Sequence, residues 1–245
     1  MIALTFDDGP DPESTLPLLD LLGSFGARAT FFVRGAAAAR YPEVVQQAVD
    51  LGHAIGNHTW SHPVLPRTPR RERLLELREC QRIIAPYVKP PVLFRPPYLA
   101  QSKESRLDAL LLGFQVIMCS VDSGDWWIED ADEIVAELLA HPAGGDIVLL
   151  HDALYVPNDR ILPHTPVRDR RTMLEALERY LVETGDRFRF VTVPELLQAG
   201  RPVRREWFAM GPKAAGQQSR GGPAIQGQPA ESSTARSAAR VSVDR

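Results

Sequence analysis

Residues 2–10 read IALTFDDGP, an apolar strand that runs directly into two adjacent carboxylates, Asp7 and Asp8, and then into a tight turn. Two neighbouring acids at the end of a strand are unfavourable unless a positive charge lies beside them. A metal ion is the obvious candidate for that charge. The stretch therefore predicts both the first strand of the fold and one side of a polar site.

Short apolar runs alternate with longer stretches of helical periodicity along the rest of the chain. This pattern is typical of strand-helix units around a parallel sheet. The predicted strands are Ile2–Phe6, Ala29–Val33, His53–Gly56, Val92–Arg95, Phe114–Ser120, Asp146–His151 and Arg187–Val191. The predicted helices are Thr15–Phe25, Pro42–Leu51, Arg70–Pro86, Ser102–Leu112, Ala131–Ala140 and Arg170–Thr184. Together they predict an α/β fold whose strand number is close to that of a barrel.

The chain has 245 residues, of which 44% are hydrophobic, enough for one full core. From about Gly211 the composition changes to Gly, Pro, Gln, Ser and Ala with scattered Arg. Such a segment buries too little apolar surface to offset the entropy of ordering it. We therefore predict one catalytic domain over 1–205 and a disordered low-complexity tail over 206–245.

The net charge of -3 and the lack of a basic stripe argue against a nucleic-acid partner. Cys80 and Cys119 are predicted to be buried thiols, with one disulfide in an exported protein as the alternative. The chain contains no run of about 18 apolar residues, so no transmembrane segment is predicted. No signal peptide is predicted either, because Asp7 and Asp8 fall where its apolar part would lie. We expect a monomer that is either cytoplasmic or, if the true start lies upstream, extracytoplasmic.

Five polar clusters each follow the end of a predicted strand. They lie at residues 7–8, 57–62, 95–98, 122–126 and 151–152. In a strand-helix barrel these ends share one face, which is where active sites form. His58 and His62 are spaced so that both imidazoles can point to one metal ion, and one carboxylate from residues 7–8 would complete three N/O ligands.

The clusters contain, in order, the motifs TFDDGP, HTWSH, RPPY, DSGDW and LLH. They resemble the five motifs of the polysaccharide deacetylases, that is, carbohydrate esterase family 4 or the NodB-homology domain. The resemblance extends from about Ile2 to Leu197. It implies a distorted (β/α) barrel of seven or eight strands and a metal-dependent hydrolysis that removes acetyl groups from carbohydrate.

The resemblance also implies roles for single residues. Asp8, His58 and His62 match the metal ligands, with zinc the expected ion and cobalt or another divalent ion the alternative. Asp7 matches the general base, and Arg95 matches the residue that pairs with that base. A metal held by one carboxylate and two histidines is a weaker Lewis acid than one held by three histidines, so a separate base is useful.

His151 matches the general acid, and Asp125 matches the carboxylate that orients it and raises its pKa. Tyr98 matches the position whose backbone N–H stabilises the oxyanion. The family usually has Gly after this Tyr, whereas this chain has Leu99. The apolar walls around the acetyl methyl group match Trp126 and Leu149. The long segment Ala153–Val167, which follows the general acid, is expected to shape one edge of the substrate groove.

The expected substrate is an acetylated polysaccharide or oligosaccharide such as chitin or peptidoglycan, with N-acetyl removal expected and O-acetyl removal as a variant. Three alternatives remain. Relatives of this family hydrolyse C–N bonds of small cyclic ureides and imides. Two histidines and one carboxylate also form the site of non-haem iron oxygenases, although the strand-helix alternation argues against their fold. A non-catalytic carbohydrate-binding module is disfavoured because base, acid and all three ligands are present.

Overall fold

The structure is a computed structural model that describes residues 1–140, 142–156, 164–202 and 243–244. Its strands are β1 (Ala3–Asp7), β2 (Ala29–Val33), β3 (Ala54–Asn57), β4 (Val92–Phe94), β5 (Phe114–Ile117), β6 (Val121–Asp122), β7 (Ile147–His151) and β8 (Val243–Asp244). They form one sheet in the order β6-β7-β1-β2-β3-β4-β5-β8. Strands β1 to β7 pair in parallel, and β8 pairs antiparallel with β5. The predicted α/β architecture of a distorted barrel is confirmed.

The helices of the described residues are α1 (Pro12–Ser24), α2 (Gly35–Arg40), α3 (Pro42–Asp50), α4 (Arg70–Ile84), α5 (Lys103–Leu111), α6 (Ala131–Leu139), α7 (Arg171–Thr184) and α8 (Val193–Ala199). Two of them, α2 and α8, were not predicted. Helix α2 is short and rich in alanine, and its sequence does not show polar and apolar residues repeating at helical spacing. Helix α8 begins with a capping box between Thr192 and Glu195, a signal that the sequence does carry.

Two predicted strands differ from the structure. Arg187–Val191 forms only an isolated bridge between Phe190 and Ile2, because the chain turns into helix α8 directly afterwards. Phe114–Ser120 is shorter than predicted: β5 ends at Ile117, and the short strand β6 follows at Val121.

The two faces of β1 belong to different cores, because side chains alternate along a strand. Ile2, Leu4 and Phe6 belong to the main core between the sheet and its helices. Ala3 lies in a smaller apolar cluster inside the curled sheet, which includes residues of α8. Thr5 and Asp7 follow Ala3 in alternation, so the interior of the barrel changes from apolar to polar toward the carboxyl ends of the strands.

Most of the predicted tail over 206–245 lies outside the described residues. Within it, Val243–Asp244 pairs with Val116 and Ile117 of β5. Cys80 and Cys119 are free thiols, one buried and one half-buried. In the described ranges there is no helix long and apolar enough to cross a membrane.

Candidate active site

The centre of the barrel is occupied by the fully buried guanidinium of Arg95. Its Nη1 donates to Asp7 Oδ1 at 2.9 Å and to Thr5 Oγ1 at 2.7 Å. Its Nε and Nη2 donate to the carbonyls of Ile117 and Met118, each at 3.3 Å. Arg95 therefore links β1 to the end of β5 and holds one oxygen of Asp7 in a fixed direction.

The other oxygen of Asp7 faces the predicted metal ligands. Asp8, His58 and His62 are all buried, and one potential ligand atom from each lies within 4.8 Å of the others. Asp8 Oδ1 is 3.1 Å from His62 Nε2 and 3.6 Å from His58 Nε2. Asp7 Oδ2 lies 3.8 Å from His58 Nε2, which places the predicted base beside the predicted ligands.

The donor set fits a divalent cation. Asp8 Oδ2 accepts a hydrogen bond from the backbone N–H of Tyr155 at 2.9 Å. Asp8 Oδ1 is buried and accepts no hydrogen bond among the described residues, although an unsatisfied buried carboxylate oxygen is unfavourable. A cation bound by Asp8, His58 and His62 would satisfy this oxygen. Two imidazoles and a carboxylate suit zinc, and they leave positions open for water or substrate.

Backbone contacts fix the ligand atom of His58. Its Nδ1 donates to the carbonyl of Arg95 at 2.7 Å, which leaves the Nε2 lone pair directed at Asp8. Burial lowers the pKa of His58 to about 4, so the ring stays neutral. A neutral imidazole is the form that binds a metal ion.

The turn that carries His62 is held by its own polar side chains. Asn57 Oδ1 accepts from the N–H of Thr59 at 2.9 Å, and Thr59 Oγ1 accepts from the N–H of His62 at 3.1 Å. Ser61 donates from both its N–H and its hydroxyl to Glu76 on helix α4. The HTWSH motif is therefore a turn fixed against α4, and it brings two histidines four residues apart to one point.

Backbone strain is concentrated at the site. Among the described residues, the non-glycine residues with positive φ are Asp8, Thr59, His62, Tyr98 and Leu99. This left-handed conformation is unfavourable for residues with a Cβ and persists where surrounding contacts enforce it. Leu99, at φ 51°, occupies the position where the family usually has Gly, so this chain takes a glycine-like turn without glycine.

Gly9 is needed for a close approach between two of the clusters. The carboxylate of Asp152 accepts from the N–H of Gly9 at 3.1 Å and from Thr15 Oγ1 at 2.6 Å. A Cβ at position 9 would lie 2.0 Å from Asp152 Oδ2. Burial raises the pKa of Asp152 to about 7. Asp152 therefore holds the turn after β1 against the end of β7. The sequence did not indicate this role.

His151 pairs with Asp7 across strands β1 and β7, and it has the environment of a proton donor. Its Nδ1 donates to Asp125 Oδ1 at 2.9 Å, and its backbone N–H donates to Asp125 Oδ2 at 2.9 Å. Burial by itself lowers the pKa of His151, but the charge and hydrogen bond of Asp125, helped by Asp8 and Asp7, outweigh burial and raise the pKa to about 9.

Arg170 completes this arrangement and was also missed at the sequence level. It is buried, and its Nη1 donates to Asp125 Oδ2 at 3.0 Å. Burial raises the pKa of Asp125, but His151 and Arg170 together lower it below its usual value, so Asp125 stays ionised. The only sequence signal for Arg170 is its place among several arginines just before α7, which does not single it out.

The remaining predicted residues also lie near the site. The ring of Tyr98 is 4.4 Å from that of His62, so the turn after Arg95 lies beside the ligands. Leu149 lies in β7, two residues before His151, and is buried. Trp126 is half-buried next to Asp125, and its carbonyl accepts from the N–H of Val167. The structure therefore brings all ten predicted residues to one end of the barrel. Part of the predicted edge segment, residues 157–163, lies outside the described residues.

Comparison with known proteins gives concordant matches. Residues 1–117 match the polysaccharide deacetylase family. The chain is 36% identical over 201 residues to a peptidoglycan-N-acetylglucosamine deacetylase of Bacillus cereus, covering 81% of this chain and 88% of the relative. It is 35% identical over 189 residues to a chitooligosaccharide deacetylase of Sinorhizobium fredii, covering 76% and 86%. The solved structure of the peptidoglycan deacetylase PdaC from Bacillus subtilis superposes with a TM-score of 0.69 at 33% identity, covering 81% and 90%.

Proposed function

The chain belongs to the polysaccharide deacetylase family, and from that membership and the geometry of the site we propose that it hydrolyses the N-acetyl groups of a cell-wall or chitin-like glycan. The observation that carries the proposal is that a candidate base, which lies beside the candidate metal ligands, is close to a candidate acid. Asp7 and Asp8 lie on one side beside His58 and His62, and the protonated ring of His151 lies near them.

We propose that Asp8, His58 and His62 hold one divalent cation, with zinc as the first choice. When bound, that ion would polarise the acetyl carbonyl and lower the pKa of a water molecule. The residues of the chain contribute the ligand directions: Tyr155 holds one oxygen of Asp8, and the Arg95 carbonyl fixes the ring of His58.

Asp7 is the proposed general base. Burial raises its pKa, while the charges of Arg95 and His151 oppose that rise without cancelling it. A carboxylate whose pKa is raised above its usual value accepts a proton from water more readily than an ordinary one. Arg95 keeps Oδ1 engaged, so Oδ2 is the oxygen that faces the ligand cluster and takes the proton.

His151 is the proposed general acid. Its Nδ1 is engaged with Asp125, which leaves Nε2 to give a proton to the departing amine. The raised pKa keeps the ring protonated at neutral pH before substrate binds. Asp7 removes one proton from water and His151 donates one proton to the amine, so one amide and one water become acetic acid and an amine. The acid then loses its proton to solvent and leaves as acetate.

The surrounding groups would position the acetyl group. The backbone N–H of Tyr98 is proposed to donate to the carbonyl oxygen as negative charge develops there. Leu149 and Trp126 would enclose the methyl group. Because acetyl is the smallest of the common acyl groups, a tight apolar wall excludes longer ones.

Acetate release tests this function. Purified protein is incubated with N-acetylated chitooligosaccharide, peptidoglycan fragments and acetylated xylan, each with zinc and after treatment with a chelator. We expect release from one or both N-acetylated substrates that the chelator abolishes and zinc restores. Activity that persists after complete metal removal, or release from none of the three, would contradict the proposal.

A further inference from the structure

A cavity of about 800 Å³ adjoins the site on the side of helices α1, α2 and the start of α7. We call it the arginine groove after five of its lining residues, which are Arg34, Arg40, Arg168, Arg170 and Arg171. Three acids also line it, Asp11, Glu13 and Asp169. The groove thus carries two more positive than negative side chains, although the protein as a whole has a net charge of -3.

The acids do not neutralise most of these arginines. Asp169 is paired with Arg171, its neighbour two residues along. Asp11 is engaged at the start of α1, where its carboxylate accepts from the N–H of Glu13 at 3.0 Å. In the part of the chain that the structure describes, no carboxylate lies within ion-pair distance of Arg34, Arg40 or Arg168.

Arg170 gives a second, independent indication of an anion. It is only 4% exposed, and one of its nitrogens is bonded to Asp125. Its Nε and Nη2 are buried and have no hydrogen-bond partner among the described residues. Unpaired nitrogens on a buried guanidinium are unfavourable. Arg170 therefore adds positive charge to the wall of the groove, and that charge favours an anion there.

The groove is also connected directly to the catalytic groups. Arg34 Nε donates to the backbone carbonyl of Asp8 at 3.0 Å, and its guanidinium lies 3.9 Å above the ring of Tyr155. Arg170 contacts Asp125, which holds His151. A group bound in the groove therefore lies beside two arginines that contact the segments carrying Asp8 and Asp125.

From this arrangement we infer that the arginine groove binds a carboxylate of the substrate, so that the enzyme prefers N-acetylated glycans that carry carboxylates over neutral ones. The inference rests on the proposed deacetylase function. Guanidinium groups recognise carboxylates by paired N–H donors. Chitin is neutral, whereas peptidoglycan carries carboxylates on its lactyl ethers and peptides, so the groove favours the second class of glycan.

The test compares one substrate with its own neutral form. The kcat/KM for acetate release is measured on soluble peptidoglycan fragments and on the same fragments after their carboxyls are converted to methyl amides. The variants are the double substitution Arg40→Gln and Arg168→Gln, which removes two exposed groove charges, and the control Arg78→Gln, an exposed arginine of α4 outside the groove. None of these three residues touches a catalytic group.

We expect the unmodified protein to prefer the carboxylated fragments by about tenfold or more, through a lower KM. The double variant should lose most of that preference and keep its kcat/KM on the neutral fragments, and the control should behave like the unmodified protein. Raising the salt concentration should weaken the preference, because exposed charges are screened. Equal rates on both fragments, or a preference that the double variant retains, would overturn the inference and leave the deacetylase function intact. Acetate release from neither fragment nor chitooligosaccharide would overturn both.

Discussion

The contact between His151 and Asp125 allows the most quantitative prediction. In the metal-free protein the pKa of His151 is raised from 6.5 to about 9, against the effect of burial, and Asp125 is the strongest of the groups that raise it. Since one pKa unit corresponds to about 1.4 kcal/mol, the protonated ring is stabilised by about 3 kcal/mol. Replacing Asp125 with Asn keeps the shape of the side chain and removes its charge.

Without that charge, burial becomes the dominant influence, and we expect the pKa of His151 to fall by about two units or more. A bound cation offsets part of the charge of Asp8, so the absolute pKa of the loaded enzyme lies below 9 in both proteins, but the difference between them remains. The alkaline limb of the pH profile of kcat/KM should therefore move to lower pH by about two units, and the rate above both pKa values should fall about 100-fold.

The assay is acetate release from chitooligosaccharide between pH 5 and pH 10 at saturating zinc. An unchanged alkaline limb, or a loss of rate that is the same at every pH, would refute the electrostatic role of Asp125. Because Asp125→Asn leaves Arg170 buried without a counter-charge, the fold is checked by thermal unfolding. The double variant Asp125→Asn with Arg170→Gln removes both charges and should recover stability without restoring the pH profile.

The same pKa shift makes stability depend on pH with a defined sign. The pKa of His151 is higher in the folded protein than in the unfolded chain, so its stabilising contribution is complete below pH 6.5 and is lost as the pH rises through about 9. In the metal-free protein, the difference in unfolding free energy between the unmodified chain and Asp125→Asn should shrink by up to about 3 kcal/mol between pH 6 and pH 10.

Three further predictions concern the fold and the metal. Gly9→Ala should lower the free energy of unfolding in urea by about 3 kcal/mol or more, because its Cβ would displace Asp152 from two buried hydrogen bonds. The control is Gly23→Ala, whose Cβ meets nothing within 4 Å and which should be neutral or slightly stabilising. Equal effects of the two substitutions would contradict the close approach. Arg95→Met should lower the free energy of unfolding by about 3 to 5 kcal/mol and abolish acetate release, because Asp7 would lose its buried partner. Near-normal stability and turnover of this variant would exclude Arg95 as the partner that Asp7 needs. Removing the metal should lower Tm by about 5 to 10 °C relative to zinc at 100 times its Kd, and an unchanged Tm would argue against a site built by Asp8 and its two histidines.

The sequence predicted the site better than it predicted the elements around it. Each motif follows a strand, and parallel strands bring their carboxyl ends together, so convergence of the motifs followed from the alternating pattern alone. The strands β2 and β4 were predicted to within one residue for the same reason, since short apolar runs bounded by polar residues have few alternatives. The predicted strand Arg187–Val191 was wrong because pairing depends on a partner in space, which local composition does not specify.

The residues that were missed act through long-range contacts. Arg170 and Asp152 are recognised only once the fold places them against Asp125 and Gly9. An arginine before a helix and an acid after a histidine are common in surface loops, so neither residue stands out in the sequence. The arginine groove was missed for the same reason, because its lining residues come from four separate segments of the chain that meet only in the folded protein.

The division of roles between Asp7 and Asp8 is the central claim, and the Asp7→Asn variant tests it most directly. Zinc bound per chain and acetate released are measured on the same sample of this variant. Because Asp7 faces the ligands without being one of the three, we predict about one zinc per chain and turnover reduced at least 100-fold. A variant that binds zinc and still releases acetate at the normal rate, or one that loses both zinc and turnover, would contradict the assignment of Asp7 as the base.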